Sequence, residues 1–147
     1  MKRVIQILLA AAVAATSVFV AAVPAHAVNR GSALTKGESL NRSTTDYIQR
    51  STQSGIVRLR MQGDGNLVLA LFSANTGAQL KVCWGAATNP GGWKAIYQED
   101  GNFVVYNSSG RALWASNTVG LRGETVDMAS DGALWVGYVR KTGPCKL

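Results

Sequence analysis

Tyr97-Gln98-Glu99-Asp100-Gly101-Asn102-Phe103-Val104-Val105-Tyr106 is the stretch on which the fold turns. Gln98, Asp100, Asn102, Val104 and Tyr106 fall at every second position, the spacing that places side chains on one face of a strand. Asp-Gly in the middle, between apolar residues, is a hairpin signal. The same pattern occurs earlier as Gln62, Asp64, Asn66 and Val68, with Ala70 where the first stretch has Tyr. A weaker copy spans Ala129 to Gly137 and keeps only Asp131; Ala129, Ala133, Trp135 and Gly137 take the other places. The three Asp residues, at 64, 100 and 131, are 36 and 31 positions apart. Repetition at that period predicts three copies of one supersecondary unit.

Around these copies the sequence reads as all-β. Ile56-Val57-Arg58-Leu59-Arg60-Met61 alternates, and Phe103-Val104-Val105-Tyr106 is β-branched and aromatic. Turn signals recur at Thr35-Lys36-Gly37, Asn89-Pro90-Gly91-Gly92 and Asn107-Ser108-Ser109-Gly110. Many short strands at regular spacing predict a sandwich, barrel or prism.

Parity limits the hairpin. A two-residue loop at Asp100-Gly101 would put Gln98 and Val104 on opposite sides. A three-residue loop, Asp100-Gly101-Asn102, keeps Gln98, Val104 and Tyr106 on one face and sends Phe103 and Val105 to the core. That register sets Gln98 against Val104 and Ile96 against Tyr106, and in the first copy Arg60 against Ala70.

The N-terminus has a different character. Met1-Lys2-Arg3 is basic, Val4 to Val23 is nearly all apolar, and Pro24-Ala25-His26-Ala27 supplies small residues. This predicts a secretory signal peptide over residues 1–27, bacterial in style, with an uncleaved membrane anchor as the alternative. Removing 27 of 147 residues leaves a 120-residue domain, 28–147, with no further stretch long enough for a membrane helix. The expected product is secreted, without membrane insertion after cleavage. The formal charge of +7 falls to +5 when Lys2 and Arg3 leave. The remaining basic residues are scattered, not gathered into the stripe that nucleic-acid binding needs. Two cysteines remain, Cys83 and Cys145. Export makes a disulfide the expectation, closing a loop of about sixty residues worth about 4 kcal/mol; two free thiols are the alternative.

The pattern Gln-x-Asp-x-Asn-x-Val-x-Tyr, followed by Trp114-Ala115-Ser116-Asn117-Thr118, resembles the bulb-type mannose-binding lectins. Leu34-Thr35-Lys36-Gly37-Glu38-Ser39-Leu40 is similar to that family's opening strand. The resemblance spans about Ser32 to Val139. It implies a β-prism of three four-stranded sheets about a pseudo-threefold axis, with one sugar site per repeat and no metal or other cofactor. It assigns Asp100 and Asn102 to the axial 2-hydroxyl of mannose, and Gln98 and Tyr106 to the 3- and 4-hydroxyls. The chemistry agrees: an ionised Asp accepts, while Asn, Gln and Tyr donate and accept. Val104 supplies an apolar surface for ring C–H groups. The main expected site is therefore Gln98, Asp100, Asn102, Val104 and Tyr106. Gln62, Asp64, Asn66 and Val68 form a partial one. A single shallow site implies weak binding, so avidity would require homo-oligomers or extended mannose-containing glycans.

Catalysis is not expected. The only histidine, His26, lies in the segment predicted to be removed, leaving no ready base near neutral pH. The alternative reading is a lectin-scaffold bacteriocin-like or inhibitory protein that binds a protein or cell-envelope target, since the first and third motifs are incomplete. Trp84, Trp114 and Trp135 read as plugs around the prism axis, and Trp93, beside a loop, as the best candidate for an exposed aromatic.

Overall fold

The computed structural model describes residues 27–147, so the expected signal peptide, apart from Ala27, lies outside the described residues. The chain enters through two short strands, β1 (Ala33–Thr35) and β2 (Ser39–Asn41). Next come β3 (Tyr47–Thr52), β4 (Gly55–Met61), β5 (Leu67–Phe72) and β6 (Gln79–Gly85). Two further units follow: β7 (Gly92–Tyr97), β8 (Phe103–Asn107) and β9 (Ala112–Ala115), then β10 (Thr125–Met128), β11 (Leu134–Val136) and β12 (Val139–Arg140).

These strands form three four-stranded antiparallel sheets, ordered β3-β4-β5-β6, β2-β7-β8-β9 and β1-β10-β11-β12. The expected prism of three such sheets is therefore present. The stretch from Leu34 to Leu40 is not one opening strand. It bends at Lys36-Gly37 and lends β1 to the third sheet and β2 to the second.

Alternation decides what each strand buries. Val57, Leu59 and Met61 of β4, Phe103 and Val105 of β8, and Val126 and Met128 of β10 enter one core that all three sheets share. Arg58, Val104 and Asp127 stand on the outward faces. Trp84 and Trp114 pack against this core and meet edge-on, ring centroids 5.2 Å apart. Trp135 does not join them. It follows the core residue Leu134 along β11, so its side chain faces outward.

The three Asp-Gly turns share one geometry. The Gly101 N–H donates to the Gln98 carbonyl at 3.0 Å, and the Gln98 N–H to the Asn102 carbonyl at 2.9 Å. The same pairs recur between Gly65, Gln62 and Asn66 and between Gly132, Ala129 and Ala133. Each glycine has a positive φ, +87° at Gly101, as the last residue of a three-residue loop closed by a bulge must. The loop is thus Glu99-Asp100-Gly101, and Tyr97 pairs with Phe103, Ile96 with Val104 and Lys94 with Tyr106. This corrects the expected register by two residues: Gln98 faces Asn102, not Val104. The odd length is retained, so the shared face survives the correction.

The tail closes the structure. Cys83 of β6 and buried Cys145 form the disulfide, and the Cys145 N–H donates to the Asp131 carbonyl at 3.0 Å. The last residues of the third unit are thereby strapped to the outer strand of the first sheet.

One buried ion organises the N-terminal side. The Asp46 carboxylate, fully buried, accepts from Arg30 at 2.8 Å, from the Thr44 hydroxyl and from the Asn41 backbone and side-chain amides at 3.1 Å. Burial alone would raise its pKa. The hydrogen bonds from Thr44, Arg30 and Asn41 outweigh that and hold it below the ordinary 3.8. Glu38 and Asp131 are also lowered, chiefly by backbone N–H groups of Thr35 and Ala133. A depressed folded-state pKa stabilises the fold above the unfolded value, and that stability is lost as pH falls through the folded value. Thermal melts should therefore show a fall in Tm as pH drops below about 4. Asp46→Asn should lower Tm at neutral pH and reduce this acid slope. An unchanged slope would remove Asp46 from the account.

Candidate functional site

The face predicted from the middle repeat is assembled. Gln98 ends the β7 side of the hairpin, Asn102 starts the β8 side, and Val104 and Tyr106 follow along β8. The Gln98 Nε2 donates to the Tyr106 Oη at 2.6 Å. Tyr106 then keeps its own O–H to donate, and Gln98 keeps its Oε1 to accept. Gln98 and Tyr106 lie across from Asn102 and Lys94, so their bond crosses the row formed by Ile96 and Val104. Val104 is only 2% exposed and forms the floor beneath that bridge, where the sequence suggested an open apolar platform.

Asp100 and Asn102 each divide their atoms between the scaffold and the solvent side. The Asp100 Oδ1 accepts the Asn102 N–H at 2.9 Å, while its Oδ2 has no partner among the described residues. The Asn102 Oδ1 accepts from the Ser116 hydroxyl at 3.1 Å and the Thr118 N–H at 3.3 Å, and its Nδ2 has no acceptor among the described residues. Ser116 and Thr118 lie behind the site: the Ser116 Oγ accepts the Phe103 N–H, and the Thr118 hydroxyl donates to the Gly101 carbonyl at 2.6 Å. Sequence reasoning gave these two residues no role of their own. Their signal was the Trp114–Thr118 segment, which fastens the hairpin from behind. The site therefore offers a free carboxylate oxygen, a free amide N–H₂ and a linked phenol–amide pair on one face.

The first repeat keeps the scaffold and loses part of the face. The Asp64 Oδ1 accepts the Asn66 N–H at 2.9 Å, and the Asn66 Oδ1 accepts the Thr88 N–H at 3.1 Å. Thr88 lies where Thr118 lies in the second unit, and Ala87 shares the positive φ of Asn117. Val68 and Ala70 are 5% and 3% exposed, and Gln62 has no tyrosine to bind. Arg58, not Arg60, stands opposite Ala70; Arg60 pairs with Val68. The Arg58 guanidinium lies 4.6 Å from the Phe72 ring centroid and 5.0 Å from that of Tyr47, and its Nε donates to the Gln49 Oε1 at 2.9 Å. A stacked cation thus stands beside the position of the missing phenol.

The third repeat retains the turn alone. The Asp131 Oδ1 accepts the Ala133 N–H at 3.1 Å, and its Oδ2 is ion-paired with Arg140 at 2.9 Å. Trp135, at the place of Val104, lies opposite Asp127 and Arg140, and its buried indole N–H has no partner among the described residues. A bulky indole thus replaces the valine of the other two repeats, and an ion pair takes up the carboxylate oxygen that Asp100 leaves unused.

Among the described residues no group of three or more His, Cys, Asp or Glu is placed to hold a metal ion. An open groove of about 450 Å³ runs from Gln98 and Tyr106 past Lys94 to Trp93 and Asn107. Trp93 is 47% exposed, as its place beside a loop suggested.

No protein-family model matches this sequence, and no curated protein does. Solved structures do. A lectin from Allium sativum is 31% identical, with a TM-score of 0.50, over 76% of this chain and 99% of that one. The mannose-specific agglutinin from snowdrop (Galanthus nivalis) bulbs, solved with methyl-α-D-mannoside, is 28% identical with a TM-score of 0.56, over 76% and 94%. Monomeric monocot mannose-binding lectins from Gastrodia elata match at 26% identity and 0.54, over 75% and 99%.

Proposed function

The chain belongs to the bulb-type lectin family, and on that premise we propose that it is a secreted lectin that takes mannose-type glycans, without a metal, through its middle repeat. It is a carbohydrate-binding protein and not an enzyme. The observation that carries the reading is the asymmetry between repeats. Among the three described repeats, only at Gln98, Asp100, Asn102 and Tyr106 are the atoms left over by the scaffold a full donor and acceptor set on one face. A hexose needs such a set, because each hydroxyl both donates and accepts.

The mechanism is recognition by fixed hydrogen bonds. The Asp100 Oδ2 accepts from a sugar hydroxyl, and the Asn102 Nδ2 donates to the same or the adjacent one. The Tyr106 O–H and the Gln98 Oε1 address the next hydroxyls along the ring. Their directions are set before binding, since Asp100 is held by its own turn, Asn102 by Ser116 and Thr118, and Gln98 by Tyr106. Such preorganisation lowers the ordering cost of binding. An axial hydroxyl beside an equatorial one can bridge Asp100 and Asn102, which favours mannose over epimers that lack that pair. A site this open binds one sugar weakly, so multivalent display or homo-oligomers would supply avidity.

Titration of the mature protein with methyl α-mannoside, with and without a chelator, tests the reading. Asp100→Asn keeps the turn acceptor but removes the free carboxylate oxygen, and Tyr106→Phe removes only the hydroxyl. Each should weaken binding about tenfold, and the chelator should change nothing. Undiminished binding in both variants would remove these residues from the site. A second reading, an inhibitory protein on the lectin scaffold, is favoured by two observations: Arg58 flanks the first site, and Trp135 takes the valine's place in the third. Absence of any glycan hit, together with capture of a protein or envelope target, would select it.

A further inference from the structure

Beside the four polar residues lies a groove that they do not use. It shares Gln98 and Tyr106 with the proposed mannose site and extends away from Asp100 and Asn102. We propose that this groove is a second sugar subsite with Trp93 as its stacking platform, so that the preferred ligand is an oligosaccharide continuing from the hydroxyl that faces Gln98 and Tyr106. The proposal rests on the mannose reading above and deepens it.

Three features of the groove fit a pyranose ring. The first is Trp93. Gly92 pairs with Asn107 and Lys94 with Tyr106, so Trp93 is the extra residue of a bulge, without a cross-strand partner. A bulge re-aims the side chain that it carries. Whereas Trp84 and Trp114 pack against the core, the Trp93 indole stays 47% exposed and lines the groove. Its backbone is fixed, because its carbonyl accepts the Arg42 N–H at 2.9 Å. A rigidly mounted, half-exposed aromatic face is suited to the C–H side of a sugar ring.

The second feature is a set of unspent donors. Lys94 lines the groove, and its ammonium has no partner among the described residues. The Asn107 Oδ1 accepts the Ser109 and Arg111 N–H groups at 3.0 and 2.8 Å, which fixes the amide and leaves its Nδ2 without a protein acceptor among the described residues. The third is size. A volume of about 450 Å³ lies within the range of small-ligand sites, roughly 300–1,000 Å³. Because Gln98 and Tyr106 border both sites, a ring in the groove is directly bonded to a ring held by Asp100 and Asn102, with no spacer.

The equivalent place in the first repeat lacks the platform, since Val57, at the position of Trp93, is buried in the core. Arg58 occupies the position of Lys94 and is stacked on Tyr47 and Phe72. The subsite therefore belongs to the middle repeat.

The test uses the mature, disulfide-bonded protein, methyl α-mannoside and the positional isomers of mannobiose, followed by calorimetry and tryptophan emission. At least one mannobiose should bind about tenfold more tightly than the monosaccharide and shift the emission. Trp93→Ala should keep monosaccharide affinity within about twofold and abolish the disaccharide gain, while Trp93→Phe keeps part of it. The subsite is overturned if every mannobiose binds like the monosaccharide, or if the gain persists in Trp93→Ala. Failure of the unmodified protein to bind either sugar is a different result and overturns the mannose reading itself.

Discussion

Replacing Cys83 and Cys145 together by alanine should lower the stability of the folded chain by about 4 kcal/mol. The bridge joins residues 62 positions apart, and a loop of that length removes much of the freedom of the unfolded chain. The effect is not limited to entropy. Cys145 is fully buried within the core cluster, and its backbone carbonyl and Cβ lie against Gly132. A freed tail would expose the turn between β10 and β11, next to the strand with which β1 pairs. Urea unfolding of the double variant, compared with the oxidised parent, measures the change. A loss below about 1 kcal/mol would mean that the tail stays docked without the bridge.

Asn102→Ala should abolish measurable mannose binding, a loss of at least about a hundredfold, and cost about 2 kcal/mol of stability. Both follow from the same amide. Its Oδ1 satisfies the Ser116 hydroxyl and the Thr118 N–H, and its Nδ2, without a partner among the described residues, is the donor that the proposed site would offer a sugar. Asn66→Ala separates the two contributions. Asn66 makes the corresponding scaffold bond to the Thr88 N–H, but in a repeat whose tyrosine is missing. It should destabilise comparably and leave mannose binding nearly intact. Equal loss of binding in both variants would mean that the first repeat contributes a working site.

Much of this was readable in the chain because strand and turn chemistry is local. Three Asp-Gly pairs between alternating apolar residues lead to three hairpins, and parity alone decides that Gln98, Val104 and Tyr106 share a face. Parity does not decide absolute register. Loops centred on Asp100 or on Gly101 obey it equally, and the choice rests on which residue adopts the positive φ, at Gly101, and on the Asp100 bond to the Asn102 N–H. The exchange of Arg58 for Arg60 opposite Ala70 follows from that one displacement. Trp135 departs from its expected core place for another reason. A tryptophan in a strand suggests a core residue by its size, yet its position matches Val104 and places it outside. Asp46 carried no readable signal for a different reason: Asn41 and Thr44 lie within five residues of it, but its role as a buried ion also needs Arg30, which comes from sixteen residues away.

The loan of β1 and β2 to sheets otherwise built from later residues has a kinetic consequence. Ala33 pairs with Asp127 and Ser39 with Ile96, so the beginning of the domain closes sheets whose other strands are made later. Only β3 to β6 form a sheet from consecutive strands. High contact order slows folding to the range of milliseconds to seconds typical of all-β domains. During synthesis the first sheet can assemble early, whereas β2 waits unpaired until the middle unit is made and β1 until the last unit arrives. The order of assembly is therefore written into the connectivity: the chain's start is among the last parts to be locked in place.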